Sequence, residues 1–204
     1  MQIIAENLTC VRSDRVIFRG LTFGLRGGGA TALVGPNGSG KTTLLRVLAG
    51  LLSVTVGRVQ FTADDGAAMD HEARDRSLHF VSHHDTVKSA LSVSETLRFH
   101  ADILDGERDS VAKALKTWDI ERLSDAPGAL LSAGQRRRVA LARLALQSRP
   151  LWLLDEPLVA LDRAARGRLH DLCAEHRRAG GLIVAASHEP FLDDAAVVDL
   201  GARA

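Results

Sequence analysis

The chain contains no tyrosine and only two cysteines in 204 residues. Cys10 and Cys173 stand far apart and in no metal or redox spacing, so both read as small core residues in a reducing compartment. No C-x-x-C-H run occurs, so covalent haem attachment to this chain has no support. No apolar run approaches the roughly 18 residues that a spanning helix needs, and no signal peptide opens the sequence. A formal net charge of +1 gives no electrostatic reason to expect a nucleic-acid partner. Internal repeats, low-complexity segments and linkers are also missing. The expectation is a soluble cytoplasmic chain whose role in any transport would require a separate membrane-crossing subunit.

What is present suits one domain with a proper core: 204 residues, 46% of them hydrophobic. Its centre is Gly35-Pro36-Asn37-Gly38-Ser39-Gly40-Lys41-Thr42-Thr43, which fits the phosphate-loop pattern G-x-x-x-x-G-K-[ST]. An apolar run over 30–34 precedes it as a buried strand. Leu44, Leu45, Val47 and Leu48 follow with helical spacing. The chemistry needs this placement. A triphosphate concentrates negative charge, and glycines let successive N–H groups point inward beside the positive end of a helix. Lys41 reaches the β- and γ-phosphates, and the Thr42 hydroxyl is placed to ligate Mg²⁺.

Along the chain, 3–9 and 16–25 read as strands parted by Ser13-Asp14-Arg15, with Gly27-Gly28-Gly29 as the turn into the loop-bearing strand. Residues 57–61 and 78–81 read as strands and 64–75 as a polar surface loop. From about 84 to 133 the pattern is helical, with Val93, Leu97 and His100 on one face and Val111, Ala114, Leu115 and Trp118 on another. Helix 135–148, strand 151–154, helix 163–178 and strands 182–186 and 197–200 come next. Alternating strands and helices predict an α/β fold with a parallel sheet, into which the helical stretch of about 84–133 is inserted.

Leu151-Trp152-Leu153-Leu154-Asp155-Glu156 is an apolar strand ending in two acids, at the end of an α/β sheet where ligands bind. Asp155 is suited to hold Mg²⁺ through water, and Glu156 to orient or deprotonate the attacking water.

Leu131-Ser132-Ala133-Gly134-Gln135 resembles the LSGGQ signature of ATP-binding cassette (ABC) ATPases, with Ala133 in place of a glycine. It starts a helix, so Ser132 and the Gly134 N–H form a second small anion site. Arg136-Arg137-Arg138 follow it and read as a solvated basic face. Leu161-Asp162 resembles the D-loop, and Ser187-His188 the switch histidine, which would contact the γ-phosphate. The ordered set covers essentially the whole chain. It implies a P-loop ABC ATPase with an N-terminal antiparallel β-subdomain and a helical subdomain, using ATP and Mg²⁺. It also implies a head-to-tail pair of copies, each ATP held between the phosphate loop of one and the signature of the other.

Two positions depart from the family pattern. The aromatic that commonly stacks on adenine falls near Arg12, whose guanidinium plane can stack on a base. The glutamine that usually links Mg²⁺, the water and the membrane subunit falls at His83, within Phe80-Val81-Ser82-His83-His84. Imidazole is a poor Mg²⁺ ligand but can hydrogen-bond water, so slow basal hydrolysis or altered coupling is expected. The His-His pair also suggests metal or haem ligation, with no third ligand nearby in sequence.

The small-residue-then-His pair, the Leu151 to Pro157 segment and the Ser132-Ala133-Gly134-Gln135 variant are similar to the ATP-binding subunits of bacterial cytochrome c maturation (Ccm) haem exporters. That resemblance implies integral-membrane Ccm subunits as partners and, indirectly, a haem chaperone. It places the chain peripherally on the cytoplasmic face of the inner membrane. Two other readings use the same motifs: the ATPase of another small exporter, and a soluble ABC ATPase without a transporter. Against the DNA-repair type, only about 90 residues, without heptads, separate phosphate loop and signature.

Overall fold

The computed structural model describes residues 1–83, 87–107, 109–189, 191–192 and 194–201. Two compact units divide it. The first holds Met1–Phe80, Arg149–Pro157 and the chain from Cys173 onward; the second holds Val81–Ser148 and Leu158–Leu172.

The first unit is built on two sheets. β1 (Gln2–Arg12) alternates buried and partly buried side chains, as a strand with one face on a core must. It pairs antiparallel with β2 (Arg15–Arg26) on one side and β4 (Val56–Thr62) on the other. Asn7, Ser13 and Asp14 take positive φ at the register shift and the hairpin, where Asn and Asp tolerate it.

The other sheet is ordered β5 (Leu78–Val81), β6 (Leu151–Asp155), β7 (Leu182–Ala186), β3 (Ala30–Val34), β8 (Ala196–Asp199). Every residue of β6 and β7 is buried, which is why both read as continuous apolar runs rather than alternating ones. Register sets where the strands stop. Asp155 pairs with Ala186, and Leu33 pairs with the same Ala186, so β6, β7 and β3 end level with one another. Helix α1 (Lys41–Leu48) buries Leu44, Leu45, Val47 and Leu48 in the core shared by the two sheets.

The second unit carries α3 (Val93–Ile103), α4 (Ser110–Trp118) and α5 (Ala133–Ala142). The expected faces hold: Val93 and Leu97 are buried on α3, and Ala114, Leu115 and Trp118 on α4. α6 (Arg163–Arg178) begins in this unit and ends in the first.

Two local expectations are corrected. Residues 64–75 are not all loop, because α2 (His71–Arg76) forms with the Asp70 carboxylate accepting from the Ala73 N–H at 2.8 Å. This helix buries no residue, so apolar periodicity gave no signal for it. The helix expected over 135–148 is α5, shortened to Ala142 and continued by a 3₁₀ turn, Arg143–Ala145.

Burial has a pH consequence in the second unit. His100 is lowered to about 4, chiefly by desolvation and secondarily by the charge of Arg143. A histidine held neutral in the fold takes up its proton more readily when unfolded, so its contribution is complete above about pH 6.5. That contribution is lost as pH falls toward 4. Thermal melting should therefore drop between pH 6.5 and 4, and His100→Gln should flatten that part of the profile. In the first unit, Leu153→Ala should cost about 2–5 kcal/mol in a urea melt, because Leu153 is fully buried in β6.

Candidate nucleotide site

Three chain segments leave the level ends of β3, β6 and β7. Gly35 to Gly40 leaves β3, Glu156 leaves β6, and Ser187-His188 leaves β7. The strands are adjacent, so residues more than a hundred positions apart in sequence converge.

Gly40 is the residue before α1, with φ of +100°. A Cβ there would lie 2.6 Å from Ile17 Cγ2, so only glycine fits this left-handed, closely approached position. The first turn of α1 contains no acid, leaving its positive end unneutralised. The Lys41 ammonium is turned back into the loop, donating to the carbonyls of Gly35 (2.7 Å) and Pro36 (3.1 Å). Among the described residues, Ser39 Oγ has no hydrogen-bond partner and is buried. An amine and a hydroxyl held inside a loop of glycines are the donors a phosphate requires.

The Thr42 hydroxyl donates to Asp155, 2.9 Å from one carboxylate oxygen and 3.2 Å from the other. Asp155 is 2% exposed. Two hard oxygen donors thus meet at the mouth of the loop, which is the donor chemistry Mg²⁺ prefers. Among the described residues, no cluster of three His, Cys, Asp or Glu side chains is assembled to hold a metal. His84, the second half of the His-His pair, lies outside the described residues.

Glu156 takes a left-handed backbone (φ 48°) and donates its N–H to the Ala186 carbonyl at 2.8 Å. Its carboxylate faces His188, with the imidazole Nε2 at 3.2 Å and the His188 backbone N–H at 3.4 Å. Lys41, Thr42, Asp155, Glu156 and His188 therefore share one region of the first unit. Thr43 follows within α1. Arg12 stands exposed at the β1–β2 hairpin, its guanidinium donating to the Ser53 carbonyl at 2.8 Å.

The signature residues lie in the second unit. Ser132 caps α5 in a reciprocal box: its hydroxyl accepts from the Gln135 N–H, and the Gln135 side chain accepts from the Ser132 N–H at 2.8 Å. Leu131 is buried before it. Ala133 opens α5. Gly134 is pressed against the turn ahead of α6, where a Cβ would stand 2.7 Å from the Ala160 carbonyl oxygen. Asp162 caps α6 by accepting from the Ala165 N–H at 2.8 Å and also receives Arg138 at 2.5 Å. These contacts hold its carboxyl below the usual range, with the backbone bond as the main cause.

The basic run after the signature is not a solvated face. Arg136 donates to the Leu131 carbonyl, Arg137 is 3% exposed and donates to the Ser82 carbonyl at 2.8 Å, and Arg138 pairs with Asp162. The sequence signal for these anchors was only their adjacency to the signature. His83, exposed in a bend, is next to the Ser82 carbonyl that Arg137 holds.

The fold and site define a P-loop ATPase of the ABC kind, and a model of the ABC transporter family matches residues 18–159. The cytochrome c biogenesis ATP-binding export protein CcmA of Paramagnetospirillum magneticum is 50% identical over 90% of this chain and 86% of its own length. The protein of the same description from Rhodopseudomonas palustris (strain BisB5) is 42% identical over the full length of both. The chain belongs to the ABC transporter family and, within it, to the CcmA ATP-binding proteins. It is an ATP-hydrolysing subunit. A solved ABC transporter ATP-binding protein from Pyrococcus furiosus superposes with a TM-score of 0.82 over 98% of both chains at 23% identity, which shows the shared fold. CbiO1 of Clostridium perfringens gives 0.72 at 30% identity, over 92% of this chain and 78% of its own. Among the described residues, no helix is long and apolar enough to cross a membrane.

The tight approach of Gly134 yields a test. Gly134→Ala places a methyl group against backbone, so the signature turn must shift. ATPase activity should fall about tenfold or more, while the melting temperature changes by a few degrees.

Proposed function

We propose that the chain is the ATP-hydrolysing subunit of a bacterial membrane complex for cytochrome c biogenesis, in which ATP turnover drives haem export or release of a haem-loaded chaperone. The observation that carries this reading is the agreement of the CcmA relatives, at 41–50% identity over 90% or more of the chain, with a complete ATPase constellation.

Each residue has a role in turnover. The loop Gly35, Pro36, Asn37, Gly38, Ser39 and Gly40 wraps the phosphates with backbone N–H groups, and Lys41 exchanges its carbonyl partners for phosphate oxygens. Thr42 and Asp155 would hold Mg²⁺, which when bound neutralises charge between the phosphates. Glu156 orients and deprotonates the water. His188, already against the Glu156 carboxylate, reports the γ-phosphate. Arg12 offers a guanidinium plane to the base. A second copy supplies Leu131 to Gln135 and Asp162 across the nucleotide, so ATP closes the pair and hydrolysis opens it. The helical lobe, about 84–133, receives the membrane subunits. Phe99 and Ile103 on α3 are 49% and 60% exposed, an apolar surface suited to a partner. The chain then works peripherally at the cytoplasmic face of the inner membrane.

Affinity purification from detergent-solubilised host membranes tests the assignment. Recovery of polytopic Ccm subunits with a haem Soret band is expected. A different membrane protein without haem would discard the cytochrome role and favour another exporter. A protein found only in the soluble fraction would favour a non-transport ATPase.

Two variants test the mechanism. Glu156→Gln should still bind ATP, hydrolyse it about 10²–10⁴-fold more slowly, and sediment as a dimer with ATP. Strictly monomeric behaviour at saturating ATP would contradict the paired site. His83→Ala should lower the steady-state ATPase rate; an undiminished rate removes His83 from catalysis.

A further inference from the structure

Three arginines in a row on α5 leave the helix axis about 100° apart, so each reaches a different neighbour. Arg136 returns to the Leu131 carbonyl, just before the signature cap, and Arg138 pairs with Asp162. Arg137 goes a third way. Its guanidinium donates to the Ser82 carbonyl at 2.8 Å, across 55 positions of sequence and within the second unit.

This is a costly place for a cation. Arg137 is 3% exposed and belongs to the buried part of α5 with Val139, Ala140, Leu141 and Ala142. Methionine would fill much of the same space with no charge to desolvate, and exchanges of that kind are often neutral or stabilising. Burial alone therefore gives no reason for a guanidinium here. What arginine supplies and methionine lacks is a donor that crosses to the main chain of another segment.

That segment is well defined. Ser82 follows the end of β5 and precedes His83, which stands exposed. The Ser82 carbonyl and the His83 N–H and Cα lie in one rigid peptide plane. A bond to that carbonyl thus sets the direction in which His83 leaves the chain. At the other end, Arg137 lies two residues after Gln135, whose side chain closes the signature cap with Ser132. Less than one helical turn separates the cap from the guanidinium.

We propose that Arg137 is the positioning residue for His83: it ties the Ser82–His83 peptide to the signature helix, so that the imidazole keeps its place only while that helix keeps its own. The tie rests on the proposed role of His83 in turnover and adds the residue that aims it. Arg137 itself touches no reacting atom and acts through the main chain.

Nuclear magnetic resonance of the full-length protein with isotope-labelled histidine reads the position of His83, its ring signal identified by its loss in His83→Ala. Arg137→Met should move that signal toward the value of a free histidine and leave those of the buried His79 and His100 in place. In the same variant, kcat should fall by the factor seen in His83→Ala, with KM for ATP unchanged within about twofold. The double variant should be no slower than either single one, because a residue that acts only through another adds nothing once the other is gone. Arg137→Lys, which keeps a donor, should restore the signal and most of the rate. A His83 signal unmoved in Arg137→Met, or a double variant slowed by the product of the two single effects, overturns the tie. If Arg137→Met does not fold, Arg137→Gln, whose amide stops short of the Ser82 carbonyl, is read in the same way. An undiminished rate in His83→Ala removes His83 from catalysis and leaves the ring signal to decide the tie. A slowed His83→Ala beside an unaffected Arg137→Met keeps the role of His83 and refutes the tie.

Discussion

The hydrogen bond from Thr42 to Asp155 ties the start of α1 to the end of β6, and the rest of the site depends on it. It joins two carriers that each have an independent reason to be where they are. α1 is fixed by the apolar side chains it buries, and β6 by burial along its whole length. A buried carboxylate is costly unless satisfied, so Asp155 at 2% exposure constrains the geometry around it. Its partner is a hydroxyl that can give up this bond and turn an oxygen toward a cation. The same two side chains therefore secure the fold and carry the oxygens that the proposed Mg²⁺ would use.

The second unit uses a different device for the same purpose. The signature is held by caps and arginines: Ser132 with Gln135, Arg138 with Asp162, and Arg137 with the Ser82 carbonyl. Each N-cap contributes roughly 1 kcal/mol, and the buried Arg137 guanidinium fixes the segment leading to His83. The two turns at Gly134 and at Asp162 are consequently linked through one short chain of contacts. A signature displaced from Ala160 is displaced from Asp162 as well.

Much of this was legible in the sequence because the motifs are local. Gly35 to Thr43 and Leu151 to Glu156 each carry their own strand or helix context, and the order of the motifs was enough to suggest the family. What was illegible was non-local or lacked periodicity. α2 has no apolar face, so no pattern announced it. Arg136, Arg137 and Arg138 look like any exposed basic run until the fold places carbonyls and a carboxylate around them. The contact of Glu156 with His188 needs the register of β6 on β7, which spacing alone does not supply.

The proposed function requires the phosphate loop and the end of β6 to act as a single cation–nucleotide site. Electron paramagnetic resonance with Mn²⁺ in place of Mg²⁺ tests this most directly. One tightly held Mn²⁺ per chain is expected only when ATP is present, with the bound signal lost in both Thr42→Ala and Asp155→Asn. Tight Mn²⁺ binding without nucleotide, or a bound signal unchanged in both variants, would contradict it.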